Sequence, residues 1–541
     1  MDNVPPGSLP LPTRIRDSTS RVVPYSTMSG SIGARPGCWS PAALADRRRF
    51  TPPTRILFLL GTIAALASCA EDPAPDTTTI RNVVLVSLDA LGATHTGAYG
   101  YARPTTPHLD QLAREGVLFE RAYAQQVWTL TSHLSMLTGL YPQVHGASKR
   151  RPARRSAPNL AERLAEAGFE TAAFVATDIY MSPRFGFARG FGHYKIQSGD
   201  ARQVNRARFA WLEQQARRQR TDPEHRFFLF AHYYDVHSDV GSDVPYAAPP
   251  PYSRQFLPES VDWGRAGDTS LLLEMQKSGE VTDEDRVALT AFYDGGVRYC
   301  DEECLGALLA ELRRLDLYEQ TLVVVTSDHG EEIFEHGMCS HQQPYEETAR
   351  VPLVFRGPSL AEGRRVDATV ELVDLMPTLL SLVDLEVPSD VQGRDLSAWL
   401  RAGVPTPEVE PRDAHVDGIW GGLPDIYWRY PSALTSEIEG RRWSYVNLVH
   451  HAEDGAGFRF ELRQPGEVYD LDEDPLQQSN LAARLPGGTD PGRAVAPLVR
   501  GERLSGPTSW RARAGRADPG RAGTRATACA GLRPLESQRF R

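Results

Sequence analysis

An α/β fold, with a mostly parallel sheet between helices and a smaller α+β domain following it, is what three features of this sequence predict. Short runs rich in β-branched residues are apolar almost throughout, as strands buried on both faces are. Segments with apolar residues at i, i+3 and i+4 alternate with them, and beyond residue 395 the pattern changes to half-apolar strands of antiparallel character. In chain order the strand runs are NVVLVSL (82–88), TAAFVAT (171–177), FFLFAHY (227–233), TLVVVTS (321–327) and VPLVFRG (351–357). The helical patterns between them are HLDQLAREG, NLAERLAEAG and CLGALLAELRRLD, each closing at Gly or Asp. ELVDLMPTLLSLVDL (371–385) ends the large unit, and RRWSYVNLV and RFELRQPGEVYDL supply the strands of the small one.

Charge separates this body from its ends. The chain of 541 residues carries a net charge of −10, but residues 1–55 contribute +5 and residues 484–541 contribute +8, so the body between them stands at −23. Both ends are rich in Arg, Pro, Gly and Ser and have no apolar periodicity, the composition of a segment that cannot bury a core. The boundaries that follow are 1–46 as a disordered or over-extended start, 47–69 as a targeting segment, 70–80 as a linker, 81–395 and 396–483 as the two folded units, and 484–541 as a disordered tail. Without interleaved aromatics the basic ends are not read as nucleic-acid arms, and no nucleic-acid partner is expected.

Arg47-Arg48-Arg49 and Arg55 precede ILFLLGTIAALA (56–67), which is short for a bilayer span and right for a signal-peptide core. LASC (66–69) comes next and resembles a bacterial lipobox; the competing reading is a buried Cys after an apolar helix. The lipobox reading implies acylation at Cys69, a membrane partner through that anchor, and residence in the cell envelope on the periplasmic or extracellular face. Cys300, Cys304 and Cys339 form no CxxC pair, which argues against structural zinc and for buried thiols.

In an open α/β sheet, ligands collect beyond the carboxyl ends of the strands. Asp89 directly follows the first run, and Asp328 follows VVVTS with His329 beside it. A lone strand-end Asp is commonly a helix cap; two of them with an imidazole supply the donors a divalent metal needs. A third element is WTLTSHLSMLTGLYP (128–142), which places the Thr129 hydroxyl where a helix begins. It reads as an N-cap, or as a nucleophile facing the positive end of the helix dipole.

The blocks NVVLVSLDALGATHTGAYGY, TSH…LTGLYP, NLAERLAEAGFETAAFV, TLVVVTSDHGEEIFEHG, YEETARVPLVF, DLMPTLL and GEVYDLDEDPLQQSNLA occur in the order seen in the sulfatase family, and residues 81–483 as a whole resemble it. The resemblance implies an alkaline-phosphatase/sulfatase-like fold and a metal-dependent hydrolase of sulfate or phosphate esters, with an anionic ester as substrate and one divalent ion (Ca²⁺, Mn²⁺ or Zn²⁺) as cofactor. Carried onto this chain it implies Asp89, Thr129, Asp328 and His329 as metal ligands and Thr129, His133, His232 and His341 as catalytic residues. Departures are specific. The family's C/S-x-P-S-R loop reads Thr129-Leu130-Thr131-Ser132-His133 here, Ala90 stands where many members have a second Asp, and Gly92 stands where related sequences have Arg. Threonine cannot become the formylglycine aldehyde of the family, so Thr129 is expected to act as the hydroxyl itself. Two other expectations remain open at this point: a transferase of phosphorylated headgroups through a Thr129 intermediate, and a catalytically silent binding lipoprotein.

Overall fold

The computed structural model describes residues 79–482, apart from 198–200, 239–245, 247, 262, 265, 409–411, 419–431, 439–440, 448, 455–456 and 463–465. The targeting segment, Cys69 and both basic ends lie outside the described residues. A nine-stranded mixed sheet forms the centre. Its strands are β1 (Asn82–Leu88), β2 (Val117–Tyr123), β3 (Phe169–Val175), β4 (His193–Ile196), β5 (Arg226–Tyr233), β6 (Thr321–Thr326), β7 (Leu353–Arg356) and β8 (Arg364–Glu371), in the order β8-β2-β7-β6-β1-β5-β3-β4, with Arg350–Val351 pairing β2 as well.

The five apolar runs all became strands, and the central trio β5-β1-β6 is parallel on both sides of β1. The run at 351–357 is broken at Pro352, and β7 lies antiparallel to β2 and β6. A proline has no N–H to give a ladder, so the break falls there. Strands β2 and β8 carry charged residues inside VLFERAY and RRVDATVE and were not legible as apolar runs.

Alternation along the strands divides the core into two layers. Val84, Val86 and Leu88 of β1 join Val323 and Val325 of β6 on one face, packed by α1 (Pro107–Arg114) and the long helix Asp283–Tyr299. Val83, Leu85, Leu322 and Val324 turn to the other face, where α2 (Thr129–Thr138) and α3 (Leu375–Leu382) cover them. Side chains of successive strand residues point to opposite faces, and both faces here meet helices. The helix Asp283–Tyr299 continues through a π-helical turn, Cys300–Gly306, into Ala307–Arg314. Cys300, Cys304 and Cys339 are buried free thiols.

The C-terminal region is a separate antiparallel sheet, Ala414–Asp417, Ser432–Ile438, Arg441–Asn447 and Glu467–Asp470 in that spatial order. It is tied to the loop that follows β6: the Tyr345 hydroxyl donates to Glu467, 2.7 Å away, and Gln477 accepts from the Glu346 N–H at 2.8 Å. Among the described residues no helix is long and apolar enough to cross a membrane.

Candidate active site and metal centre

The site lies where β1, β5 and β6 end side by side. Asp89 leaves β1, and Ser327-Asp328-His329 leave β6, so the two carboxylates meet across one strand spacing. Both are fully buried. His329 Nδ1–H donates to the Gly330 carbonyl at 2.9 Å, which leaves Nε2 as a bare lone pair. That nitrogen stands 3.3 Å from Asp328 Oδ2, 3.8 Å from Asp89 Oδ1 and 3.4 Å from Thr129 Oγ1.

Each carboxylate commits one oxygen to the protein and leaves the other without a partner. Asp89 Oδ2 accepts from His232 Nε2–H at 2.9 Å, and Asp328 Oδ1 accepts from the Ala90 N–H at 3.3 Å. Asp89 Oδ1 and Asp328 Oδ2 are buried with no hydrogen bond. Burial, then the charges of Asp328 and Glu331, push the Asp89 carboxyl well above the usual carboxylate range. Two orphaned oxygens, a bare imidazole nitrogen and a hydroxyl converging in a water-excluded place fit a divalent cation, which alone would offset their mutual repulsion.

Backbone crowding fixes this geometry. Ala90 adopts the left-handed region at φ 63°, and its carbonyl accepts from the Tyr293 hydroxyl, which in turn accepts from the Gly92 N–H. A Cβ on Gly330 would come within 2.0 Å of the Glu347 carbonyl and 2.9 Å of the Gly92 Cα, so the turns after β1 and β6 touch through two glycines. A Cβ on Gly92, which departs from the family pattern in sequence, would come within 2.9 Å of the same Glu347 carbonyl, so a larger residue there would need the backbone to shift.

Thr129 is not the cap of its helix. Trp128 occupies the N-cap position with no side-chain cap bond, and Thr129 is the first helical residue. Its hydroxyl points to His329 and Asp89 instead, and the leading N–H groups of α2 are left for a ligand. Every residue of α2 is buried, and its polar side chains are bonded one by one: Ser132 Oγ donates to the Asp328 carbonyl at 2.7 Å, and Thr131 Oγ1 to Gln126 Oε1 at 2.5 Å.

Two of the predicted histidines lie behind this group. His133 Nδ1–H donates to the Thr129 carbonyl at 2.7 Å and Nε2 accepts from Ser87 at 2.8 Å. His232 uses Nε2–H on Asp89 and accepts the Ala176 N–H at Nδ1. With both nitrogens of each ring occupied, His133 holds Thr129 and His232 holds Asp89 in place; this fits the bracing of the nucleophile that the resemblance implies for His133, whereas the contact with ester or leaving group that it implies for His232 is not made by either nitrogen. Burial lowers both below the usual histidine value, consistent with neutral rings.

His341 lies at the front. Its Nδ1–H donates to the Val127 carbonyl at 2.9 Å, its ring stacks on His329 with centroids 3.9 Å apart, and its Nε2 is 3.0 Å from His237 Nε2. Since the His341 proton is committed at Nδ1, His237 Nε2–H is the donor of that pair. Burial, then His329, pulls the His237 ring down to about 3. Sequence reasoning missed His237; the available signal was that β5 ends at Tyr233, which puts a histidine four residues later in the loop over the carboxyl edge. It also missed Glu331, whose Oε2 is another buried orphan and whose Oε1 accepts from Tyr246 at 2.7 Å, with burial raising its carboxyl to about 8.

Glu332, His336 and Glu347 also converge, but differently. His336 Nδ1–H donates to Glu347 Oε1 at 2.6 Å and Nε2–H to the Gln477 carbonyl at 3.1 Å. Burial would lower this imidazole, yet the hydrogen bond and charge of Glu347 outweigh it and hold the ring up at about 9. A doubly donating imidazolium is an ion-pair partner with no lone pair to give a metal.

A model described as Sulfatase matches residues 81–385. Over 444 residues the chain is 25% identical to an ulvan-active sulfatase of Formosa agariphila, covering 76% of this chain and 78% of that one. Over 211 residues it is 29% identical to arylsulfatase K of Gallus gallus; that match covers 39% of this chain and 36% of the relative, so the chain spans about a third of the length of the arylsulfatases it matches. The crystal structure of a phosphonate monoester hydrolase of Agrobacterium radiobacter superposes with a TM-score of 0.58 at 23% identity, covering 78% of this chain and 94% of that one, a likeness of fold.

Proposed function

The chain belongs to the sulfatase family, and from that premise we propose that it is a hydrolase of sulfate or phosphate esters whose nucleophile is the Thr129 hydroxyl itself. The observation that carries the reading is the pair of orphaned buried oxygens, Asp89 Oδ1 and Asp328 Oδ2, gathered with His329 Nε2 beside Thr129 Oγ1. A divalent ion held by Asp89, Thr129, Asp328 and His329 would neutralise the anion as a Lewis acid and lower the proton affinity of the hydroxyl. The donor set of two carboxylates and one imidazole suits Mn²⁺ or Zn²⁺ as well as Ca²⁺.

The chain's own residues supply the remainder. The leading N–H groups of α2 and the His237–His341 pair face the scissile group, and the neutral pair gains proton affinity once an anion lies against it. Thr129 Oγ1 bonds to phosphorus or sulfur as its proton passes to water, the bond to the alcohol oxygen breaks, and the His237–His341 pair, which takes up a proton from solvent when the anion binds, passes that proton to the departing oxygen and returns to neutral. Water then attacks the threonine ester in line, the Oγ1 bond breaks, and the hydroxyl is restored. A formylglycine hydrate has a second hydroxyl with which to expel the anion; threonine has one, so the second displacement must occur at phosphorus or sulfur. Metal-assisted in-line attack at phosphorus is widespread, and activity on phosphate mono- or diesters is therefore expected to equal or exceed that on sulfate esters.

Assay of the metal-loaded protein against aryl sulfate, phosphate monoester, phosphodiester and phosphonate tests both levels. Turnover of none of them refutes the hydrolase; turnover of sulfate esters alone refutes the preference for phosphorus. The same proposal places the protein in the cell envelope on a lipid at Cys69, for which mass spectrometry of the N-terminal peptide should show acylation. A chain retaining residues 56–68 would refute the anchor.

A further inference from the structure

The helix Ala201–Thr221 packs Trp211 and Leu212 against β3 and β5 and sends one cation into the same core layer. Arg208 is fully buried, its guanidinium carbon 4.1 Å from the ring centroid of Tyr233 and 5.9 Å from that of Phe174. Among the described residues no carboxylate forms an ion pair with it, and its Nε–H is a buried donor with no acceptor. Burying an unpaired charge and a bare donor is costly, and an apolar side chain of similar length would fill the same space without that cost. What such a side chain could not do is hold backbone carbonyls.

Arg208 does this where two strands part. The parallel ladder between β3 and β5 stops at the pair Phe174–Ala231. At that point Arg208 Nη2 donates to the Phe174 carbonyl at 3.2 Å and to the His232 carbonyl at 3.3 Å, while Nη1 donates to Asn205 Oδ1 at 3.1 Å. Asn205, one turn earlier on the same helix, is itself fixed: its Nδ2 donates to the Glu303 carbonyl at 2.7 Å, and its Oδ1 also accepts from the Tyr233 hydroxyl at 2.7 Å. Arg208 and Asn205 therefore grip two successive residues, His232 by its backbone and Tyr233 by its ring and hydroxyl.

Both of those residues touch Asp89. His232 Nε2–H donates to Asp89 Oδ2 at 2.9 Å, and the Tyr233 carbonyl accepts from the Asp89 N–H at 2.9 Å. With Oδ2 and the backbone N–H held on this side, Oδ1 is the oxygen left facing His329 Nε2. A shift of the His232 backbone would release Oδ2 and let the carboxylate turn.

We propose that Arg208 is a positioning residue for Asp89: its forked guanidinium, acting through His232 and Tyr233, keeps Asp89 Oδ1 aimed at the other donors and so sets the affinity for the divalent ion. This deepens the metal-centre reading and rests on it for the ion, but not for the His232–Asp89 hydrogen bond itself. Charge and geometry pull in opposite directions here. A cation behind a group of carboxylates repels an incoming ion, so removing the charge alone would tighten binding. Losing the fork loosens it, since the outer hydrogen bonds that orient a ligand are worth about 10- to 100-fold in metal affinity.

The test titrates chelator-treated parent and variants with Mn²⁺ by calorimetry and follows the His232 Nε2–H proton by NMR of isotope-labelled histidine, assigned by its absence from His232→Gln. Arg208→Met keeps the packing of the stem and removes the fork; it should raise the Mn²⁺ Kd by about tenfold or more and shift or broaden the proton signal. Arg208→Lys keeps the charge but offers a single donor point in place of the fork, and should fall between parent and Arg208→Met. Asn205→Ala loosens the same group while burying no new charge, and should raise Kd by about threefold. Leu312→Ala, a buried change beside the turn that leads into the start of β6, should lower the melting temperature and leave Kd and signal unchanged. An unchanged or lower Kd in Arg208→Met overturns the proposal, as does a rise in Leu312→Ala equal to that in Arg208→Met. Should Arg208→Met not fold, an unchanged Kd and signal in Asn205→Ala overturns it. A parent that binds no Mn²⁺, Zn²⁺ or Ca²⁺ would refute the metal centre, and the proton signal alone then decides whether Arg208 positions Asp89: an unchanged signal in the variants overturns that as well.

Discussion

Replacing Asp89 with Asn separates the metal reading from a purely structural one, because the two predict opposite signs in the metal-free protein. Asn retains an acceptor for His232 Nε2–H, now 2.9 Å away, and is of the same size, so packing is preserved. It removes a carboxylate that burial, Asp328 and Glu331 disfavour in its charged form. A carboxyl held above its unfolded value costs stability as pH rises past the unfolded value, and the cost is fully present at neutral pH once its folded value is passed. Metal-free Asp89→Asn should therefore unfold at a higher temperature than the metal-free parent. Added metal acts the other way. At a free concentration one hundred times its Kd, an ion bound only by the native state adds about 2.7 kcal/mol. For a folded body of this size that raises the melting midpoint by about 3 °C. Asp89→Asn loses one of the two carboxylate ligands and should show a small fraction of that rise. Differential scanning calorimetry after chelation, then with Mn²⁺, Zn²⁺ or Ca²⁺, reads both quantities together with metal content. If no divalent ion shifts the parent, or if Asp89→Asn keeps the full shift, the four-donor site is not a metal centre. If the metal-free variant is the less stable protein, the orphaned oxygens are not in conflict and the electrostatic argument fails.

Thr129→Ala should lose about a thousandfold or more in kcat/KM while melting within a few degrees of the parent, since Trp128 and not Thr129 holds the cap position; unchanged turnover would place the nucleophile elsewhere. Thr129→Ser keeps a hydroxyl and should retain most of the activity. His237→Asn should slow esters of poor leaving groups by about a hundredfold and activated aryl esters far less, as expected of a proton donor to the departing oxygen; equal loss on both classes would make it a purely structural residue. His336 sits at about 9 against an unfolded value near 6.5, so its contribution is complete below about pH 6.5 and is lost as pH rises through 9, worth about 3 kcal/mol. Urea unfolding at pH 6 and pH 10 should show a decline in the parent that is reduced by that amount in His336→Asn; parallel profiles would mean the ring is neutral throughout.

What the sequence by itself determined is the part governed by short-range pattern. Continuous apolar runs marked β1, β5 and β6 because strands buried on both faces have no alternation to hide them, and the residues directly beyond their ends, Asp89, Asp328 and His329, then had to lie along one edge. The Thr129 turn was readable from its hydroxyls at the start of a helix, and the smaller antiparallel sheet from the change of pattern near its strands. The tertiary structure alone decided which ring faces which way. His232 stands opposite Ser87 in the β1–β5 register, within reach of Asp89, and His133 lies one turn below Thr129 against the same strand, so both spend their nitrogens on the scaffold. His237 and Glu331 enter the site through loops whose course depends on what they pack against. The charged strands β2 and β8 pair at the side of the sheet beyond β7, where the surroundings and not the residues' own preferences set the conformation. A hydrogen bond is directional and short, and the partners named here for His133, His232 and His237 are 46 to 143 residues away or one helical turn along. No local pattern in the chain encodes a contact of that kind; it exists only once the sheet register and the helix packing have brought the two groups together.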